Sequence, residues 1–200
     1  PCYDEALSGA RAAGAETRRI DLYDLNYKGC ISCFACKRKG GSSYGKCALR
    51  DELTPLLQEI EEADAVIFGS PIYFGNITSG MRAFLERLIF SHHVYDKDGT
   101  SLFPKRIKTA LIYTMNVTDE QMAEGGYLSN LQGMDISIAH HLGPVKIMYS
   151  KDTLQFDDYP KYESSFFAPV HKAQVHSTQF PIDLSNAYAL GKWCAGSDGE

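Results

Sequence analysis

The order of apolar and polar positions predicts that strands and helices alternate along most of the chain. Residues 65–68 form a short apolar run with the length and β-branched character of a strand buried on both faces. Residues 107–114 have the same character, residues 145–149 are predicted to form the last strand, and residues 16–22 alternate as a strand near a sheet edge does. The pattern therefore predicts four strands.

Helical periodicity separates these runs. From Ser79, apolar residues recur at the i, i+3, i+4, i+7 and i+8 positions of one helix face: Met81, Phe84, Leu85, Leu88 and Ile89. Further helices are predicted over residues 4–13, 54–62, 127–141 and 183–194. Gly69, Ser70 and Pro71 are expected to end the strand before Ser79, and residues 72–76 to form a loop with two adjacent aromatics.

Alternating strands and helices indicate an α/β fold, in which right-handed βαβ units build a doubly wound parallel sheet covered on both faces. Such a sheet normally has five strands, and its central first strand leads into a phosphate-binding turn. Residues 1–15 supply only a helix. We therefore expect that strand and its loop to lie in about 20–25 further residues upstream, the length of a strand, a loop and a helical turn.

The domain organisation follows from the same pattern. Residues 1–195 are predicted to form a single domain, and residues 196–200 a loose tail. A cysteine-rich loop is expected at residues 25–50, and an irregular segment rich in aromatic residues at 150–180. The aromatic segment is either a subunit interface or a lid packed on its own core.

The net charge argues against nucleic acid or an anionic membrane as a partner. Twenty Lys and Arg stand against 25 Asp and Glu, a formal net charge of −5. No apolar run reaches the ~20 residues of a membrane-spanning helix, and no signal peptide is visible. We expect a cytoplasmic protein.

Three cysteines form a C-x2-C-x2-C motif, and a fourth follows after ten residues; they are Cys30, Cys33, Cys36 and Cys47. Thiolates spaced in this way hold iron–sulfur clusters, because a tight loop can provide three ligands and a later residue the fourth. The alternatives are zinc, free thiols or an oxidised pair. Nearby basic residues are expected to lower the thiol pKa values.

Two stretches resemble a known family. The sequence GSPIYFGNITSGMRAFLERL resembles the flavin-binding loop and following helix of flavodoxin-fold FMN reductases, including WrbA-like quinone oxidoreductases. The stretches EALSGARAAGAETRRIDLYDLNYKGCISCFACK and DELTPLLQEIEEADAVIFGSP resemble the iron–sulfur flavoprotein branch. The resemblance implies a flavodoxin-like sheet with FMN at the carboxyl ends of its strands, and NAD(P)H as electron donor.

The resemblance also implies which residues contact FMN. In the loop after the strand these are Ser70, Pro71, Ile72, Tyr73, Phe74, Gly75 and Asn76. Thr114, Met115 and Asn116 follow the next strand and hold the position of a further flavin-contacting loop. Apolar side chains suit the face of an isoalloxazine ring, and no catalytic acid, base or nucleophile is required, because the flavin carries the chemistry.

The expected function is an NAD(P)H-dependent FMN reductase that passes electrons through FMN to a quinone, free flavin or similar acceptor. One alternative is an iron–sulfur flavoprotein that carries electrons between a [4Fe–4S] cluster and FMN. Another is a thiol or metal redox sensor on a flavodoxin scaffold. The resemblance further implies a homodimer or homotetramer.

The remaining polar candidates have simpler interpretations. Arg82 is expected on a solvated face of the helix after Ser79. The six histidines are expected on the surface or in loops, since none has the spacing of a zinc protease motif. Cys2 and Cys194 are isolated and are expected to be inert thiols.

Overall fold

The computed structural model describes residues 1–196, which form an α/β fold with a predominantly parallel sheet. The strands are β1 (Ala65–Tyr73), β2 (Asn76–Ile77), β3 (Lys108–Met115) and β4 (Val145–Lys151). The seven helices of this part are α1 (Cys2–Ala12), α2 (Leu53–Glu62), α3 (Ser79–His92), α4 (Asp119–Glu124), α5 (Tyr127–Leu142), α6 (Pro169–Thr178) and α7 (Phe180–Cys194).

The sheet order is β2-β1-β3-β4, with β1, β3 and β4 parallel. One face is covered mainly by α2, α3 and α5, through residues such as Leu57, Leu88 and Ile138. The other face is covered by α1 and α7, through residues such as Ala6 and Trp193. The three layers place the carboxyl ends of β1 and β3 side by side, since Pro71 is in register with Thr114.

Helices α1 and α7 approach each other closely. A Cβ atom added to Gly9 would lie 1.9 Å from the carbonyl oxygen of Tyr188, and one added to Gly191 would lie 1.7 Å from that of Ala6. These two glycines therefore allow the helix backbones to touch where any larger residue would force them apart.

The strands differ from the prediction. The described residues form four strands instead of the five of the expected sheet. One of the four strands predicted within the chain, residues 16–22, is absent, and the short strand β2 was not predicted. Residues 15–21 are irregular, and Leu22–Asp24 form a 3-10 turn. The alternating pattern alone does not make a strand, because a strand needs a partner for its backbone hydrogen bonds. No strand of the described part lies beside this segment.

Strand β1 also departs from the prediction. It does not end at Gly69 but continues through Pro71 to Tyr73, and residues 72–76 form a hairpin with β2 instead of a loop. Proline is tolerated because β1 pairs with β3 on one side only at this point, and an edge strand can lack one donor. Ala65, Val66 and Ile67 are half-buried instead of buried on both faces, because the edge of β1 away from β3 borders an open cleft.

Other predictions have mixed outcomes. The helices expected near residues 4–13, 54–62, 127–141 and 183–194 are present as α1, α2, α5 and α7, and all five apolar residues of the α3 stripe are buried. The sequence pattern did not predict α4, nor α6 inside the aromatic segment. Gly196 lies in a turn after α7, and the rest of the expected tail, residues 197–200, lies outside the described part.

Candidate flavin cleft and cysteine loop

A large cleft opens at the carboxyl ends of β1 and β3 and runs along the edge of β1. Its volume is about 2250 Å³, several times that of a typical small-molecule pocket of roughly 300–1000 Å³. Seven of the ten residues predicted to contact flavin line it: Ser70, Pro71, Ile72, Tyr73, Thr114, Met115 and Asn116. The other three, Phe74, Gly75 and Asn76, lie outside the lining, at the tip of the hairpin.

The hairpin tip has an unusual backbone. Phe74 and Gly75 join β1 to β2, with φ angles of +51° and +75°. Positive φ at both central residues is the pattern of the type I′ turn that two-residue hairpins favour. Phe74 is nevertheless a bulky residue in the left-handed region, and its side chain is fully exposed at 105%. Strain and exposure at one residue are features of functional sites.

The first turn of α3 also lines the cleft. Thr78 is the N-cap, and its side chain accepts a hydrogen bond from the Met81 amide at 3.3 Å. The Thr78 amide in turn donates to Ser70 Oγ at 3.2 Å, which ties the helix to the end of β1. The cleft therefore meets the amino end of a helix, where anions are stabilised.

Asn116 is fixed by groups from later in the chain. Its amide nitrogen donates to Gln155 Oε1 at 3.0 Å, and its oxygen accepts from the ammonium group of Lys172 on α6. Lys172 is buried and also bonds Asp152, whose other oxygen lies 2.6 Å from His171 Nε2. This network was not predicted, because no local sequence pattern links residues 116, 152 and 172.

The aromatic segment packs partly on itself. Phe156 stacks on Tyr162 with centroids 4.0 Å apart, and Phe167 lies near both Phe156 and the buried Lys172. Tyr159 is buried, and its hydroxyl accepts from the Gln155 amide at 3.1 Å. The segment thus covers the end of the sheet next to the cleft.

The residues present fit the ring half of FMN. The cleft offers apolar surface at Pro71, Ile72 and Tyr73, together with backbone groups at the strand end and the helix start. A Cβ atom added to Gly75 would lie only 3.1 Å from Asn130 Nδ2, so the tip also packs closely on α5. A flat apolar surface bordered by backbone polar groups suits an isoalloxazine ring.

The four predicted cysteines converge on a second, small pocket beside α3. It is lined by Cys30, Cys33, Cys36 and Cys47, together with Arg87 and Phe90 of the helix. All six cysteines of the chain are free thiols. Within residues 1–196, no group of three or more His, Cys, Asp or Glu side chains already has metal-binding geometry. The thiols thus provide a suitable ligand set without a preformed coordination shell.

The loop between these cysteines is strained and partly buried. Ser32 and Phe34 have φ angles of +53° and +56°, conformations that L-residues seldom adopt. Burial raises the pKa of the Cys36 thiol, so the expectation of lowered thiol pKa values is wrong for this residue. Burial likewise lowers the pKa of the neighbouring Lys37 ammonium group, whose charge only partly offsets the effect on Cys36.

Two cations attach the loop to α3. Lys37 bonds the carbonyl oxygens of Phe90 and His93 at the end of the helix, where a positive charge complements the helix dipole. Arg87, which is only 1% exposed, bonds residues at both ends of the loop. Arg87 was not predicted as a site residue, although an arginine beside the apolar stripe of a helix is a signal for a buried, paired guanidinium.

The histidines are wrongly predicted in two cases. His92 and His141 are buried in the last turns of α3 and α5. His141 Nε2 lies 3.1 Å from His93 Nδ1, and His141 Nδ1 bonds the Ser137 carbonyl. Burial lowers the pKa of His141, and the neighbouring imidazoles add to the effect. Arg82 is exposed and pairs with Glu86, as expected for a solvated helix face.

The isolated thiols are both buried. Burial raises the pKa of Cys2, and it raises the pKa of Cys194 to about 11. A protonated, inaccessible thiol is a poor nucleophile, which agrees with the expectation that both are inert.

Among known proteins, the chain is similar to iron–sulfur flavoproteins and to an NAD(P)H dehydrogenase (quinone). It is 36% identical over 83 residues to an iron–sulfur flavoprotein of Methanocaldococcus jannaschii, a match that covers 42% of this chain and 40% of that protein. It is 36% identical over 89 residues to an NAD(P)H dehydrogenase (quinone) of Deinococcus radiodurans, covering 42% and 40%. The matched stretch thus spans about 40% of the length of these relatives.

A solved structure shares the fold over nearly the whole chain. The NAD(P)H:quinone oxidoreductase from Methanothermobacter marburgensis superposes with a TM-score of 0.63 at 16% identity, covering 96% of this chain and 88% of that one. None of the helices formed by residues 1–196 has the length and apolar character needed to cross a bilayer. The family model for NADPH-dependent FMN reductase matches residues 3–111, more than half of the 200. The chain belongs to the NADPH-dependent FMN reductase family.

Proposed function

We propose that the protein is an FMN-dependent oxidoreductase that takes electrons from NAD(P)H and passes them to a quinone, free flavin or similar acceptor. The observation that carries the proposal is the cleft at the carboxyl ends of β1 and β3, lined by seven of the ten residues predicted to contact flavin. Ligands of open parallel sheets bind at this edge. The family match and the quinone-reducing relatives support the choice of FMN and acceptor.

In this proposal the chain binds and orients FMN, which supplies reversible hydride and electron transfer when bound. Tyr73 and Ile72 provide the apolar surface for the ring, and the backbone around Ser70 and Thr78 provides polar contacts. Asn116, held by Lys172 and Gln155, fixes the opposite border of the cleft. The acceptor would approach the ring from the open side of the cleft.

The test is FMN binding followed by turnover. Titration of the protein with FMN should quench flavin fluorescence with one site per chain, and the complex should oxidise NADPH in the presence of a quinone. Tyr73→Ala should weaken FMN binding by about tenfold, equivalent to ~1.4 kcal/mol. Tyr44→Ala, in the cysteine loop and outside the cleft lining, is the control and should bind as wild type does. Absence of FMN binding by the wild type would overturn the proposal.

A second candidate is an iron–sulfur flavoprotein that carries electrons between a [4Fe–4S] cluster and FMN. The specific observation in its favour is that Cys30, Cys33, Cys36 and Cys47 line one pocket. The relative from Methanocaldococcus jannaschii, named an iron–sulfur flavoprotein, supports it. Anaerobic reconstitution with iron and sulfide should add a broad absorption that dithionite bleaches; zinc uptake without that absorption would point to a zinc site.

We also propose a homodimer or homotetramer in a reducing compartment such as the cytoplasm. The exposed aromatic residues Phe74 and Phe166 support a subunit interface near the cleft, and the free thiols support the compartment. Light scattering at micromolar concentration should give at least twice the mass of one chain. A monomer at that concentration would contradict the assembly.

A further inference from the structure

Arg87 connects the cysteine loop to α3 in an unusual way. Its guanidinium is buried, and its Nη1 donates to Asp51 Oδ2 at 2.5 Å and to the Lys28 carbonyl at 3.1 Å. Its Nη2 donates to the Leu49 carbonyl at 3.0 Å. Lys28 stands two residues before the first cysteine of the loop, and Leu49 two residues after the last. One side chain therefore closes the loop at both ends.

The third nitrogen of the Arg87 guanidinium, Nε, faces a thiol. Arg87 Nε lies 3.3 Å from Cys47 Sγ, and the pocket of the four cysteines includes Arg87 in its lining. An arginine cannot lose its proton in a protein, so its Nε–H is a permanent donor with a permanent positive charge. Sulfur accepts such a bond far better as a thiolate or as a metal-bound sulfur than as a neutral thiol.

Neither the charge of Arg87 nor the anchoring of the loop ends requires the Cys47 contact. Asp51 already neutralises the guanidinium, and the two backbone carbonyls already anchor the loop. Cys47 is the one ligand candidate outside the compact C-x2-C-x2-C motif, ten residues beyond it. Because a loop of that length is flexible, a contact is needed to hold the Cys47 side chain in one orientation.

We propose that Arg87 is the positioning residue of the cysteine site: its Nε–H directs the Cys47 sulfur into the pocket. The inference rests on the proposed thiolate–metal function of the four cysteines. Hydrogen bonds to ligand sulfurs raise the reduction potential of iron–sulfur clusters, because they stabilise the more negative reduced state. Arg87 would therefore tune the potential of a cluster as well as place its fourth ligand.

The experiment compares Arg87→Lys with Arg82→Lys. Lysine keeps the charge but cannot reach Asp51, two carbonyls and a sulfur at once. Arg82 lies on the same helix, is exposed and pairs with Glu86, so Arg82→Lys is the matched control. Two quantities are measured: the rate at which Cys47 of the metal-free protein is alkylated, relative to Cys33, and the midpoint potential of the reconstituted cluster.

For Arg87→Lys, we expect Cys47 alkylation to accelerate about tenfold relative to Cys33, because the loop loses local stability. The cluster potential should become more negative, whereas Arg82→Lys should match the wild type in both measurements. An Arg87→Lys variant with wild-type alkylation and potential would overturn the inference. If the wild type takes up no iron and sulfide, the cluster proposal fails, and the alkylation ratio alone then decides the role of Arg87.

A second measurement covers the case in which Arg87→Lys does not fold. In the wild-type protein labelled with 15N-arginine, the Arg87 Nε–H signal should be protected from solvent exchange. Cys47→Ser should shift this signal, and Cys33→Ser should leave it in place, since Cys47, and not Cys33, accepts the hydrogen bond from Arg87 Nε among the described residues. Equal responses to the two substitutions would overturn the inference.

Discussion

Phe74 illustrates how much one residue can tell about a site. A residue with a Cβ atom in the left-handed region costs about 1–2 kcal/mol, and a fully exposed aromatic side chain contributes nothing to the core. Folding stability therefore does not explain a phenylalanine here, whereas contact with a ligand or a second subunit does.

Replacing Phe74 by glycine tests this interpretation. Phe74→Gly should leave the urea midpoint unchanged or raise it, since glycine adopts positive φ without strain. The same substitution should weaken FMN binding severalfold, because an aromatic surface next to the cleft is lost. Chemical denaturation and FMN titration of the same preparation measure both effects. Lower stability with unchanged FMN affinity would assign Phe74 a structural role instead.

His141 makes stability depend on pH. Burial holds its pKa below the ordinary value of 6.5. Below that value the unfolded chain takes up a proton that the folded protein does not, so the free energy of unfolding falls as pH falls from about 7. Urea midpoints at pH 7.5 and 5.5 should differ less in His141→Gln than in the wild type. An identical pH dependence in the two proteins would exclude His141 as the cause.

At the scale of elements, the contact between α1 and α7 depends on glycine. Gly191→Ala places a Cβ atom 1.7 Å from the Ala6 carbonyl oxygen, and we expect it to lower the free energy of unfolding by about 2 kcal/mol or more. Gly133 of α5 is the control, since nothing lies within 4 Å of an added Cβ there. Gly133→Ala should raise stability by roughly 0.5–1 kcal/mol, the difference in helix propensity. Thermal or urea unfolding of the two variants and the wild type measures both changes in the free energy of unfolding.

Some helices and strands could be predicted from local sequence patterns, whereas features that depend on distant residues could not. The apolar stripe of α3, the buried run of β3 and the apolar residues of β4 are local patterns, and each forms the predicted element. The hairpin at Phe74 was missed because a Phe-Gly pair lacks the Asn-Gly signal of a type I′ turn. Burial of Arg87 depends on Asp51 and the cysteine loop, which are distant in sequence.

At the scale of the whole molecule, the sheet of residues 1–196 is left open at one edge of β1, where the strand borders the cleft instead of another strand. Strand β3 has partners on both sides, whereas residues 65–71 of β1 pair only with β3 in the described part. The cleft along this edge supports the expectation of a further strand, which stays a prediction. Position in the sheet, unlike periodicity, cannot be read from one segment, and this is why residues 16–22 were assigned wrongly.

Hydrogen exchange tests whether the backbone amides on the outer side of β1 are exposed to solvent. Alternate amides of residues 65–71 should exchange with solvent much faster than those of β3, because every second amide of a parallel strand points away from its partner. A longer form of the chain that supplies a neighbouring strand should protect these amides. Uniform protection of β1 in residues 1–200 alone would show that the edge is already covered.

Helix α3 contacts both the cleft and the cysteine pocket, and its helical geometry fixes the angle between the residues that do so. Tyr27 bonds the carbonyl of Gly80, Gly29 lies against Ala83, and Arg87 reaches Cys47. These helix positions lie on one face, because seven residues make almost two full turns, about 10 Å long. One residue inserted between Ala83 and Arg87 would rotate the guanidinium by about 100° and carry it away from the loop. The relative orientation of the cleft and the cysteine loop thus depends on the number of residues in one helix. Only insertions close to a whole number of turns would preserve that orientation.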